Sequence, residues 1–125
     1  MAKRINSRRK GAIAERHYAR VFREMGFDKC QTSRYAGKYY DDLGVDLVGL
    51  PVNIQIKAGK QKNLRIKECI GDIKGRLEEV GDDKPFALIR RMHIEAGKRR
   101  RDIDELVTMT FEDFCKLIIK AYGQG

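Results

Sequence analysis

Proline is scarce: two in 125 residues, Pro51 and Pro85. With no Pro/Ser-rich stretch and no internal repeat, that scarcity argues against jointed or repeat architectures and predicts one compact domain over 1–125. Long apolar runs are missing too. None approaches the ~18 residues of a membrane-spanning helix, and no apolar segment follows the basic N-terminus as a secretory signal requires. The expectation is a cytoplasmic protein with no membrane partner, encoded by a prokaryote, an archaeon or a phage. Cysteine is limited to Cys30, Cys69 and Cys115, an odd number, widely spaced and set in apolar or helical contexts. They read as reduced thiols in or near a core. No CxxC occurs and the two histidines, His17 and His93, lie far apart, which disfavours a zinc site.

Acid is nearly absent from the N-terminal fifth. Residues 1–23 hold Lys3, Arg4, Arg8, Arg9, Lys10, Arg16, Arg20 and Arg23 against a single acid, Glu15. The whole chain carries +9. Such a concentration is the footprint of a polyanion partner, nucleic acid before an anionic membrane surface. Residues 1–7 read as a basic, flexible arm.

What is present is a clear alternation of helix and strand patterns. Ala14, Tyr18, Val21, Phe22 and Met25 form one stripe, predicting a helix over 8–25 between Ser7 and Gly26. Residues 28–33 predict a short strand, 34–43 a loop, and 45–50 and 52–58 two strands turning at Leu50-Pro51. Ile66, Ile70, Ile73, Leu77 and Val80 predict a second helix over 64–80. Strands over 85–91 and 105–110 follow, separated by a basic loop at 95–102. Thr110 caps a last helix over 111–122 with Asp113 at its third position. The order α-β-β-β-α-β-β-α predicts an α/β fold with one mixed sheet flanked by helices.

The hairpin carries an anomaly. Asp46, Gln55 and Lys57 interrupt Val45, Leu47, Ile54 and Ile56. A turn at Leu50-Pro51 sets Asp46 opposite Gln55, and Gln55 and Lys57 share a face because they are two apart. Burying even a neutral amide without a partner costs roughly 2–7 kcal/mol, so three such side chains in one patch require a reason. A simple Asp46–Lys57 salt bridge is one reason. A divalent-cation site is another: oxygen from Asp46, Gln55 and the Ile56 carbonyl suits Mg2+, with Lys57 beside it. Glu15 lies at the edge of the first helix's apolar stripe and adds a fourth group; the alternative for it is a surface ion pair with Arg8 or Lys10.

The segment GVDLVG…NIQIKAGK resembles the signature of the PD-(D/E)XK nuclease superfamily: an Asp, then (Glu/Asp/Gln)-x-Lys on a hairpin, with a glutamate on a preceding helix. KGAIAER, RYAGKYYDD, the hairpin and TMTFEDFCKLI together are similar to archaeal-type Holliday junction resolvases, small stand-alone dimers. DDLGVD…IQIK resembles the Mrr-type restriction nuclease domain, where glutamine in that slot is usual. The resemblance implies a restriction-endonuclease-like αβββαβ core and metal-assisted phosphodiester hydrolysis. It implies that Glu15, Asp46 and Gln55 bind Mg2+, with Mn2+ as a substitute, and that Lys57 positions the attacking water or stabilises developing charge. Two departures stand out. Gln55 replaces the resolvases' glutamate, removing one negative charge and leaving one metal or two open. The loop serine of the resolvases has no counterpart, Lys38 or Tyr35 standing there.

Charge around these residues nominates the DNA contacts. Arg4, Arg8, Arg9, Lys10 and Arg16 on the arm and first helix, with Arg34, Lys38, Lys60 and Lys62 near the hairpin, are phosphate-binding candidates. Tyr35, Tyr39 and Tyr40 either stack at a branched DNA or pack the loop. The function expected is a structure-selective endonuclease acting as a homodimer on four-way or branched DNA. The alternatives are an Mrr-like module targeted by a partner and a non-catalytic DNA-binding protein on a nuclease fold.

Overall fold

The computed structural model describes residues 7–59, 64–93 and 103–123. Its elements run α1 (Ser7–Glu24), β1 (Gln31–Thr32), α2 (Ser33–Ala36), α3 (Lys38–Leu43), β2 (Leu47–Val48), β3 (Asn53–Ala58), α4 (Ile66–Glu79), β4 (Phe86–His93), β5 (Ile103–Thr108) and α5 (Phe111–Tyr122). The strands make one five-stranded mixed sheet in the order β1-β2-β3-β4-β5. Only the β3–β4 pair is parallel. That is the pair bridged by α4, since a parallel neighbour needs a crossover.

Each face of the sheet buries its own core. Ile54, Ile56 and Ile89 point to α1 and meet Ala14, Tyr18 and Ala19, with Phe22 partly covered. Val45, Phe86 and Leu88 point the other way and meet Ile70, Ile73 and Leu77 of α4 and Leu43 of α3. The two faces follow from strand period two and helix period 3.6. Tyr18 joins α1 to the sheet's far edge. Its hydroxyl donates to Glu105, the Arg91 guanidinium lies 5.9 Å from its ring centre, and burial leads the causes that push its pKa up.

Three expectations are corrected. The segment 34–43 is not a loop but two short helices, because Tyr40 and Leu43 are drawn into the second core. The strand expected over 45–50 contracts to Leu47–Val48. Gly49 ends it with φ +83°, and a Cβ there would come 2.3 Å from the Lys29 carbonyl oxygen, so no other residue fits without moving the backbone. Met25, placed in the first helix's stripe, lies past the helix end and is 64% exposed. The basic loop at 95–102 lies outside the described residues.

Cys30 is buried, Cys69 and Cys115 are half-buried, and all three are free thiols. No helix among the described residues is long and apolar enough to cross a membrane.

Candidate functional site

The site begins with a charge where α1 should be apolar. Glu15 sits one residue beyond Ala14 and is 4% exposed. A lone buried carboxylate is too costly to persist unpaired, and Arg34 of α2 answers it with a forked grip. Arg34 Nε donates to Oε1 at 3.0 Å and to Oε2 at 3.3 Å, and Nη2 donates to Oε2 at 3.1 Å. The carboxylate's hydrogen bonds, then its charge, hold the guanidinium above its ordinary pKa. Gly11 lies against this pair: a Cβ there would sit 3.5 Å from Oε2 and 3.6 Å from Arg34 Nη2, ordinary contact distances. Glu15 is therefore a buried group held by Arg34 and not a surface acid; the side chains of Arg8 and Lys10 lie outside the described residues.

Asp46 is placed by a kink in the ladder. Leu47 stands opposite Ile54, which would put Asp46 across from Gln55. Instead Asp46 N–H donates to the Ile54 carbonyl at 2.7 Å, so two residues of one strand meet one of the other, the count of a β-bulge. The Asp46 carbonyl accepts from Ser33 N–H at 2.8 Å. Its side chain turns to the neighbouring strand, where Oδ2 accepts from Ile56 N–H at 2.7 Å. The carboxylate thus replaces the backbone acceptor that the shortened β2 no longer offers.

This position is electrostatically demanding. Burial raises the Asp46 pKa most, the Ile56 amide lowers it, the nearby Glu15 charge raises it, and Lys57 and Arg34 lower it; the balance stands at about 7. Glu15, Asp46, Arg34 and Lys57 therefore share one electrostatic neighbourhood. Two acids and two cations come there from α1, α2, β3 and the turn that leads into β2.

Gln55 and Lys57 lie on one face of β3, as expected, but that face looks towards α4, whereas Glu15 comes from the α1 side. Asp46, at the fork where β2 leaves β3, is the group that couples the two sides. Gln55 Oε1 accepts from the Cys69 thiol of α4 at 3.1 Å, a weak donor that leaves the amide oxygen further acceptor capacity.

Two groups were missed. Ser33 is fully buried, its amide bonded to Asp46, and its hydroxyl has no partner. Nothing in its sequence context marked it, since the residue lies where a short strand passes into an irregular stretch. The second is a cationic hollow of 640 Å³ beside the site, floored by Ala19 and Cys30 and lined by Arg16, Arg23, Lys29 and Tyr35. Arg16 and Tyr35 are the chain neighbours of Glu15 and Arg34. Lys29 and Arg23 were hidden because a fold, not a spacing, brings them together.

The remaining candidates divide. Tyr35 and Tyr39 are 83% and 57% exposed, open to a partner, while Tyr40 packs against the second core and edge-on to Tyr39. Lys38 is exposed at the start of α3. Arg4, Lys60 and Lys62 lie outside the described residues, as do the side chains of Arg8, Arg9 and Lys10.

For a divalent cation the donors on offer are oxygens: two carboxylates, the Gln55 amide and backbone carbonyls such as that of Ile56. This set fits Mg2+ rather than a soft metal. Among the described residues no three of His, Cys, Asp and Glu gather at ligand spacing. The high Asp46 pKa is what a cation would relieve.

No family model, no curated protein and no solved structure matches the chain.

Proposed function

We propose that the chain is a Mg2+-dependent, structure-selective DNA endonuclease with a restriction-endonuclease-like core of the PD-(D/E)XK type, in particular a cytoplasmic Holliday junction resolvase working as a homodimer. The observation that carries this reading is the acid pair. Glu15 and Asp46 are 31 positions apart in sequence, yet the Glu15 charge raises the Asp46 pKa and the Lys57 charge lowers it.

In this reading Glu15, Asp46, Gln55 and the Ile56 carbonyl hold Mg2+, with Mn2+ able to replace it. The bound ion supplies Lewis acidity towards a phosphate oxygen and an acidified water. Lys57 holds the attacking water or takes up charge developing on the phosphate. Arg34 is half exposed and grips Glu15 through two nitrogens; it is placed to trade a carboxylate oxygen for a phosphate oxygen, both of which suit its fork. Arg16, Lys29 and Lys38 carry the DNA backbone past the site, and the exposed Tyr35 offers a face to an unpaired base.

The test is cleavage of a synthetic four-way junction in Mg2+ against a linear duplex of the same sequence. The junction is expected to be cut far faster. Equal cutting of both favours the Mrr-like module, a reading that Gln55 supports. Binding without cutting in Mg2+ or Mn2+ favours the non-catalytic protein, a reading that the Arg34 grip on Glu15 supports.

The cationic hollow gives a separate expectation. Replacing Arg16 and Lys29 together by alanine lowers the slope of log K against log salt by about 2, near 0.9 per lost phosphate contact. Fluorescence anisotropy of a labelled junction across a salt series measures it. An unchanged slope removes the hollow from the DNA path.

A further inference from the structure

Helix α5 turns its apolar side away from its own domain. At 100° per residue, Phe111, Phe114, Cys115, Ile118, Ile119 and Tyr122 fall within a sector of roughly 140°. Phe111 is 80% exposed, Tyr122 82%, Ile119 67%, Phe114 48% and Ile118 45%. The side of α5 turned to the body carries the partly buried Leu117 and Lys116 beside the buried Asp113. Asp113 is 1% exposed, bonds Lys74 of α4 and accepts the Phe86 amide of β4 at 3.1 Å; Lys116 donates to the Asp83 carbonyl at 3.4 Å. An amphipathic helix of a lone domain is oriented the other way, apolar side inward. Just before it in the chain, Leu106 and Val107 of the edge strand β5 are also exposed, at 48% and 64%.

We infer that this α5 face is the surface on which a second copy of the chain docks. The open apolar side chains of α5 sum to on the order of 600 Å², given 150–250 Å² for each fully exposed aromatic. That stands at the top of the ~300–600 Å² range of the largest patch on a typical monomer and supplies most of the ~800 Å² each partner gives to a standard interface. The chain's undescribed segments, 1–6, 60–63, 94–102 and 124–125, hold only Met1, Ala2, Ile5, Ile94 and Ala96 as apolar side chains.

The choice of a second copy follows from charge and symmetry. The stripe carries no charge, so two copies meet there without repulsion, although the chain as a whole is +9. The basic arm and α1, which hold eight of its cations, belong to a different part of the chain. A two-fold axis lays the two α5 helices antiparallel, which pairs the ends of their macrodipoles favourably and closes the assembly. The inference also draws on the proposed function, because cutting two strands calls for two centres. Its test uses no DNA, so failure of either leaves the other standing.

The experiment is sedimentation equilibrium of the full chain between 1 and 50 µM. A mass of twice 14.4 kDa is expected. Phe114→Glu with Ile118→Glu is expected to halve it with an unchanged far-ultraviolet circular dichroism spectrum, since both side chains are open to solvent. Tyr122→Glu alone, at the exposed end, is expected to weaken the dimer at least tenfold, and serves if the double variant fails to fold. Ile13→Glu, on an exposed point of α1, is expected to leave the mass doubled. A wild-type mass of one chain at 50 µM, whether or not the protein adheres to anionic vesicles, overturns the inference. So does a doubled mass that survives both α5 variants.

Discussion

Asp46→Asn is expected to do two opposite things: abolish Mg2+-dependent cleavage, by a factor of a thousand or more, and raise the thermal midpoint at pH 8. The first effect follows from losing one of two charged oxygen donors. The second follows from linkage. The Asp46 pKa stands at about 7 against an ordinary 3.8, so the folded chain binds a proton that the unfolded chain releases. Stability from this group is complete below the unfolded pKa and is lost as pH rises through about 7. Asparagine keeps an oxygen for the Ile56 amide, which now accepts at 2.7 Å, and carries no charge to bury. Discounted for the partial exposure of the site, the gain above pH 7 is on the order of 1–3 kcal/mol, or roughly 3–10 °C in midpoint for a domain of this size.

The two effects are separable by metal and by pH. In EDTA the midpoint difference between variant and wild type is expected to vanish near pH 4 and to grow to its full value by pH 8. Adding Mg2+ at pH 8 is expected to stabilise the wild type, because an ion that binds the folded state alone adds RT ln(1 + [L]/Kd), and to leave the variant unmoved. Calorimetry at three pH values, with and without Mg2+, measures all of this. A variant less stable than the wild type at pH 8 in EDTA would mean that Asp46 is a structural acid, and the acid-pair argument would go with it.

The same residue shows how far the site was legible in the sequence. That Asp46, Gln55 and Lys57 interrupt an apolar hairpin is visible by eye, and the register expected from Leu50-Pro51 is the one that Leu47 and Ile54 adopt. The periodicities that located α1 and α4 are strong because each has three or more turns of apolar side chains, and Thr110 with Asp113 marked the start of α5. What stayed hidden is what neighbours in space decide. The bulge at Asp46 depends on Ser33 and Ile54 pulling from two sides. The helices over 34–43 are too short to show a period, and Tyr40 and Leu43 belong to a core that α4 completes. Arg34 could be nominated for DNA from its charge, but its grip on Glu15 needed the contact itself. The last helix was placed by its Thr110 cap, and only the fold reveals that its apolar side faces outward.

Asp113→Ala is expected to be the most destabilising single change in the C-terminal third, at about 3–5 kcal/mol, and Thr110→Ala a mild one, at about 1 kcal/mol. Both residues act at the start of α5, and a capping role alone would make them similar, since the Thr110 hydroxyl accepts the Asp113 amide at 3.1 Å. The difference lies in the Asp113 carboxylate. Burial works to raise its pKa, but Lys74, the Phe86 amide and Lys116 outweigh burial and hold it below the ordinary value. Its alanine variant leaves two groups behind, the Phe86 amide at the start of a central strand and the Lys74 ammonium, while Lys116 keeps the Asp83 carbonyl. The amide and the ammonium must then turn to water or go unsatisfied. The depressed pKa fixes the sign with pH. Stability from Asp113 is present above the unfolded pKa of 3.8 and is lost as pH falls through the lower folded value. The deficit of the alanine variant should therefore be full at pH 7 and shrink only in strong acid, which urea unfolding at pH 7 and pH 3 measures. Because this carboxylate is also the principal tie between α5 and the sheet, the variant should lose its dimer in sedimentation at temperatures where the sheet is still folded. An Asp113→Ala protein as stable as Thr110→Ala would show that α5 is held by something other than this charge, and the picture of a helix anchored by its polar side would have to be given up.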